Sequence, residues 1–332
     1  MSVDAMVVDV VGIGAWSTTH HGWPALVAAF AGEKFAASPA TMRPAPLLLP
    51  AAERRRAPDG VAVALEVASE AVAMARSSST SSQGIDPHTL ASVFTSAHGD
   101  LAIVDYLCTT LASDPTALSP TRFHLSVHNA AAGHWSIAAD DRAPSTALAA
   151  GDDSFALGLL EAATMASAER RAVLLVAFDT PAVGLLAHAT HGTALFGFAL
   201  VLRPGDRRAS DEAVEDEGGD DGVVDERAGD HEVSKRDVSD SQVSDHELGE
   251  DVITRLTLSI TSASVTMPLP VRSALQPLAR SSAAARALAL AEALTVDGRT
   301  EVRYPLGDAL ALAIAIERNI PYDNRTGDEA IE

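Results

Sequence analysis

Apolar residues follow two rhythms along the chain. Uninterrupted Val-rich runs alternate with stretches where apolar positions return every three to four residues. "MVVDVVGIGAW" (6–16) is broken only by Asp9 and closed by Gly12 and Gly14. It predicts a buried strand ending in a tight turn. "GWPALVAAFAG" (22–32) predicts a short helix, with Pro24 in its first turn and Gly32 past its end. Residues 37–57, rich in Pro and Ala and holding the cluster Arg54–Arg56, read as a connecting loop. Helical spacing returns at 59–75, with Asp59 as N-cap. A Ser-rich loop follows at 77–82. "LASVFTSAHGD" (90–100) predicts a second buried strand ending at Gly99, and 101–112 a helix.

The same alternation continues. "PSTALAAGDDSFALGLLEAATMA" (144–166) runs from an extended piece through a Gly turn into a long helix. Residues 170–181 and 194–204 are the third and fourth strands. Strands alternating with helices predict an α/β layered sheet. Farther on, 252–265 alternates as a strand does. Residues 270–296 are helical in pieces parted near Pro277. Residues 299–318 form two short strands around the turn Leu306-Gly307-Asp308. The last dozen residues are polar and expected to fray.

One segment has neither rhythm. Residues 205–251 hold about 18 acids and 5 bases, no aromatics and scattered valines. They cannot bury enough apolar surface to offset chain entropy, so a disordered acidic insertion is expected. It carries roughly -13 of the chain's net -21, which leaves an ordinary charge elsewhere. Neither part is basic, so no nucleic-acid footprint is expected. Cys108 is the only cysteine. That excludes an intrachain disulfide framework or a cysteine zinc site, and fits a reducing cytoplasm. Lying between Leu107 and Leu111, it reads as a small buried hydrophobe. The N-terminus lacks a basic region, and no apolar run reaches about 18 residues, so neither a secretory signal nor a membrane span is expected.

Several motifs suggest chemistry and then fail its spacing. Gly12-Ile13-Gly14 after a strand lacks the third glycine of a dinucleotide loop, because position 17 is Ser. His188 and His191 are three apart, without the Glu and the four-residue spacing of a zinc-protease helix. No metal or cofactor is expected. His20-His21 reads as a surface loop. Ser154 lacks the flanking glycines of a nucleophile elbow. Asp152, Asp153 and Ser154 suit a helix start as cap and dipole partners. "SVHNAAAG" gathers Ser126, His128, Asn129 and Gly133. Either these bond their own loop backbone, or they line a site.

The ordered landmarks "VVGIGAWS", "LLLPAAERRRAPD", "VFTSAHGD", "LSPTRFHLSVHNAAAGHWSIA", "GDDSFALGLLEA", "LLVAFDTP" and "YPLGDALAL" give the chain a resemblance. It resembles the β-ketoacyl synthases of the thiolase superfamily. Within them it is similar to the short N-terminal-like, chain-length-factor-like proteins of aryl polyene and related polyketide clusters. The resemblance implies a thiolase-like layered α/β fold, truncated relative to a full two-half ketosynthase. Its parts are a ketosynthase N-terminal-like domain (1–204), the insertion (205–251), and an abbreviated part (252–332) completing the same domain.

In an active relative, a strand delivers a cysteine to the start of a buried helix, whose N-terminus lowers the thiol pKa. Counting back from "FALG" puts that position near Ala150 and Gly151, neither of them nucleophilic. His191-Gly192-Thr193 mimics a synthase histidine motif but precedes the end of the first half, so it reads as a decoy. The resemblance thus implies a cytoplasmic non-catalytic subunit that pairs with a full-length β-ketoacyl synthase and works with acyl carrier protein. Two alternatives stand: an acyltransferase or hydrolase using Ser154 and His128, and a homodimeric acyl-binding scaffold.

Overall fold

The computed structural model describes residues 5–33, 43–77, 85–190, 192–205 and 254–318. The acidic segment, apart from Gly205, lies outside them, as do His191 and the last residues of the chain.

The strands are β1 (Met6–Ser17), β2 (Ala91–Thr95), β3 (Ser145–Leu148), β4 (Val173–Asp179), β5 (Phe196–Pro204), β6 (Thr254–Thr261), β7 (Gly298–Leu306) and β8 (Leu310–Arg318). They form one sheet in the order β3-β2-β4-β5-β1-β6-β8-β7. Strands β3, β2 and β4 are parallel, and the remaining pairings are antiparallel. The Val-rich runs are the central strands, and every residue of β2 and β4 is buried. Such runs have no polar face because helices cover both sides.

The helices are α1 (Trp23–Ala31), α2 (Ala51–Arg56), α3 (Asp59–Ser77), α4 (Leu101–Ser113), α5 (Pro120–Leu125), α6 (Ala130–Ala138), α7 (Ser154–Glu169), α8 (Gln276–Ala279) and α9 (Leu288–Ala293). On one face of the sheet α7 and the alanine-rich 284–293 segment share a core with Phe155, Phe198 and Tyr304. On the other, α3 and α6 pack with Trp135 and Phe94.

The elements depart from the sequence reading in several places. Strand β1 does not turn at its glycines but runs on to Ser17. A Cβ on Gly12 or Gly14 would stand 2.1 Å from the carbonyl oxygens of Ala71 and Val67 in α3. The glycines are there for close helix–strand approach. The 37–57 loop holds α2, whose last turn is three arginines facing the helix's negative end. Asp59 is the first residue of α3 rather than its cap, and pairs with Arg43 at 3.4 Å. Cys108 is exposed, because α4 buries only Leu101 and Ile103. His21 is half-buried, stacked on Trp16 with ring centroids 5.2 Å apart.

Candidate active site

The carboxyl ends of β2, β3 and β4 lie on one side of the sheet, where parallel α/β sheets place their ligand crevices. Strand β3 ends at Leu148. Ala150 and Gly151 then make a sharp corner, with Gly151 at φ 54°. A short 3-10 turn, Gly151–Asp153, leads directly into α7. The corner is locked by Ser154, whose hydroxyl donates to the Gly151 carbonyl at 2.6 Å and accepts from the Ala150 N–H at 3.0 Å. The Ser154 side chain is buried. Its carbonyl accepts from Thr95 Oγ1 at 2.9 Å.

The two carboxylates after the corner act differently from caps. Neither Asp152 nor Asp153 makes a side-chain cap bond to α7. Asp152 instead meets Arg286 at 2.5 Å, and Asp153 lies 3.7 Å from the same guanidinium. Asp153 also accepts from the Gly307 N–H at 3.0 Å. Both therefore face the chain's last described segment.

His128 bonds through Nε2 to the Leu148 carbonyl at 3.0 Å, two residues before Ala150. This ties the "SVHNAAAG" loop to the end of β3. Ser126 donates to the Phe123 carbonyl, within its own loop. Asn129 precedes α6 without capping it by its side chain. Gly133 lies in α6 with open space where a Cβ would be. The structure thus brings His128 together with the Ala150–Ser154 corner, and leaves Ser126, Asn129 and Gly133 in local roles.

A cavity of about 160 Å³ opens beside the corner, lined by His98, Asp152, Asp179, Thr180, Arg280 and Arg286 among others. Asp179, at the end of β4, is its buried polar centre. It accepts from Ser96 Oγ at 2.8 Å, from Ala97 N at 2.9 Å and from Ala284 N at 2.7 Å. Burial raises its carboxyl pKa, and these donors oppose the rise. The sequence reading passed over Asp179, Arg280 and Arg286. An aspartate closing a buried strand in "LLVAFDTP" was the available signal for the first. Nothing local marked the arginines. Among the described residues, no group of three or more His, Cys, Asp or Glu could hold a metal.

The profile of the β-ketoacyl synthase N-terminal domain matches residues 31–246. The chain belongs to that family. No curated protein matches it. Solved structures share its fold at low identity. The ketosynthase ApeO in complex with its chain length factor ApeC, from Xenorhabdus doucetiae, is 20% identical over 94% of this chain and 100% of that chain, with a TM-score of 0.57. The ishigamide ketosynthase/chain length factor is 14% identical over 94% and 99%, at 0.58. A type II acyl-carrier protein complex with its ketosynthase bound to the hexaketide, AntDE:AntF, is 11% identical over 95% and 100%, at 0.63. The architecture is therefore the thiolase-like layered α/β fold of ketosynthases. Among the described residues, no helix is long and apolar enough to cross a membrane.

Proposed function

We propose that the chain is a non-catalytic, chain-length-factor-like subunit. It pairs with an active β-ketoacyl synthase in polyketide, aryl polyene or fatty-acid-type biosynthesis and serves acyl chains carried by acyl carrier protein. The observation that carries this reading is the corner before α7. The family resemblance puts the nucleophile position near Ala150 and Gly151. The carboxylates after it are engaged by Arg286. Neither an alanine nor a glycine can take an acyl group, while a corner braced in this way keeps its shape.

The pairing surface we assign is the β3 edge. Among the described residues this strand has one neighbour, β2, and stands at the end of the sheet. Its sequence, Ser145–Leu148, is uncharged. Helix α6, which packs against β3, exposes Ile137 at 81%, and the segment leading into it exposes Phe123 at 59% and Val127. An unblunted edge beside exposed apolar side chains invites a second sheet.

The test is co-expression with ketosynthases encoded beside it, followed by tagged purification and native mass determination. A stoichiometric heterodimer supports the subunit. A homodimer that ignores every ketosynthase supports the scaffold instead. Acyl transfer by the purified chain that is lost in Ser154→Ala would overturn the non-catalytic reading.

A further inference from the structure

A second cavity, of about 750 Å³, lies away from the corner, between the 268–272 loop, α9 and β7. Its lining is mixed. Leu269, Val271 and Val296 are apolar, while Thr300, Glu301 and Arg303 bring polar groups to the β7 side. Val271 is 86% exposed and Val296 49% exposed. Glu301 and Arg303 pair with each other and stay half-exposed. Glu292 accepts the backbone N–H groups of Val271 and Arg272, which ties the loop to α9. An open groove of mixed character suits a peptide, whose own side chains alternate in character.

Strand β8 ends on the rim of this groove. Arg318 stands opposite Gly298, the first residue of β7. Its guanidinium donates to the Thr295 carbonyl at 2.8 Å and pairs with Asp297 at 3.2 Å. Thr295 and Val296 both line the groove. The chain therefore leaves β8 beside the opening.

The residues that follow are "NIPYD" (319–323). Pro321 has no N–H for a sheet ladder and favours extended backbone at Ile320. In an extended chain alternate side chains share a face. Ile320 and Tyr322 would then form one apolar face, with Asn319 and Asp323 on the other. They come two and four residues after Arg318, a reach of at most about 7 and 14 Å. So short a tether gives an effective concentration on the order of millimolar, and a weak contact suffices.

We propose that residues 320–322 of the same chain dock in this groove, with Ile320 and Tyr322 against the exposed valines. The contact is separate from the corner and does not rest on ketosynthase pairing.

The full-length protein would be followed by hydrogen–deuterium exchange read by mass spectrometry. The amides of 319–323 should exchange at least about ten-fold more slowly than the same sequence in an unstructured peptide. Val296→Asp, at a half-exposed position of the groove, should abolish this protection. Ile320→Asp should do the same. Leu185→Asp, exposed elsewhere on the surface, should leave it as in the parent. Exchange at unstructured rates in the parent, or protection that survives either Val296→Asp or Ile320→Asp, overturns the proposal. So does protection that rises with protein concentration, since the segment of a second copy would then be the occupant.

Discussion

Arg286 reaches Asp152 at 2.5 Å across 134 positions of sequence. Its side chain is mostly buried, whereas that of Asp152 is 67% exposed. The two ends of the bridge should therefore not be equivalent. Asp152→Asn should cost less than about 1 kcal/mol, as exposed ion pairs do. Arg286→Ala also removes the neighbour of Asp153 and buried packing, so it should cost about 1–3 kcal/mol. Thermal unfolding of both variants decides the point. Equal losses would mean that the guanidinium braces nothing beyond Asp152.

Asp9 interrupts an apolar strand for the sake of a partner 246 residues away. Arg255 of β6 stands opposite it in register and donates two hydrogen bonds, at 2.7 and 3.1 Å. Removing one member of a buried pair costs about 3–5 kcal/mol, while replacing both with apolar residues is often neutral. Asp9→Val should then be strongly destabilising in urea unfolding. Asp9→Val combined with Arg255→Leu should recover most of the loss.

Gly14 and Gly133 should respond to alanine in opposite directions. At Gly14 the added Cβ meets the Val67 carbonyl, a backbone atom that cannot swing aside. A loss of about 1–3 kcal/mol or more is expected. At Gly133, inside α6 with open space around it, alanine should gain about 0.5–1 kcal/mol. A loss at Gly133 would point to a demand on that helix which its surroundings do not reveal.

These contrasts mark what the chain's pattern could disclose. Val-rich runs and helical spacing place β1, β2, β4, β5, α3 and α7, because burial on a two-sided sheet writes itself into local composition. The corner at Ala150–Ser154 was legible for the same local reason. Partners were not. Nothing near Asp9 announces Arg255, and nothing near Asp152 announces Arg286, because pairing across the fold leaves no local rhythm. Cys108 misled because its apolar neighbours lie on a helix whose outer face the other described residues leave open.

Glu66 should give the protein a pH dependence of identifiable sign. Burial raises its carboxyl above the ordinary 4.5, against the attraction of Arg54 and His21. The unfolded chain loses this proton near pH 4.5, and the folded chain holds it to higher pH. Between those values the folded state binds more protons, so the group's contribution to stability falls as pH rises. Glu66→Gln cannot titrate. Its stability relative to the parent should climb from about pH 4.5 upward and then level off. A difference that is flat with pH, or that runs the other way, would show that Arg54 and His21 outweigh burial.

The two ends of the sheet are not alike. Strand β7 carries Arg299, Glu301 and Arg303 along its outer edge strand, a charged border that resists addition of another strand. Strand β3 carries none. A sheet that is adhesive at one margin and guarded at the other can gain a single neighbour and then stop. Once a partner's sheet is joined at β3, this chain turns only its guarded margin outward, so on its side the assembly ends and does not grow into a fibre.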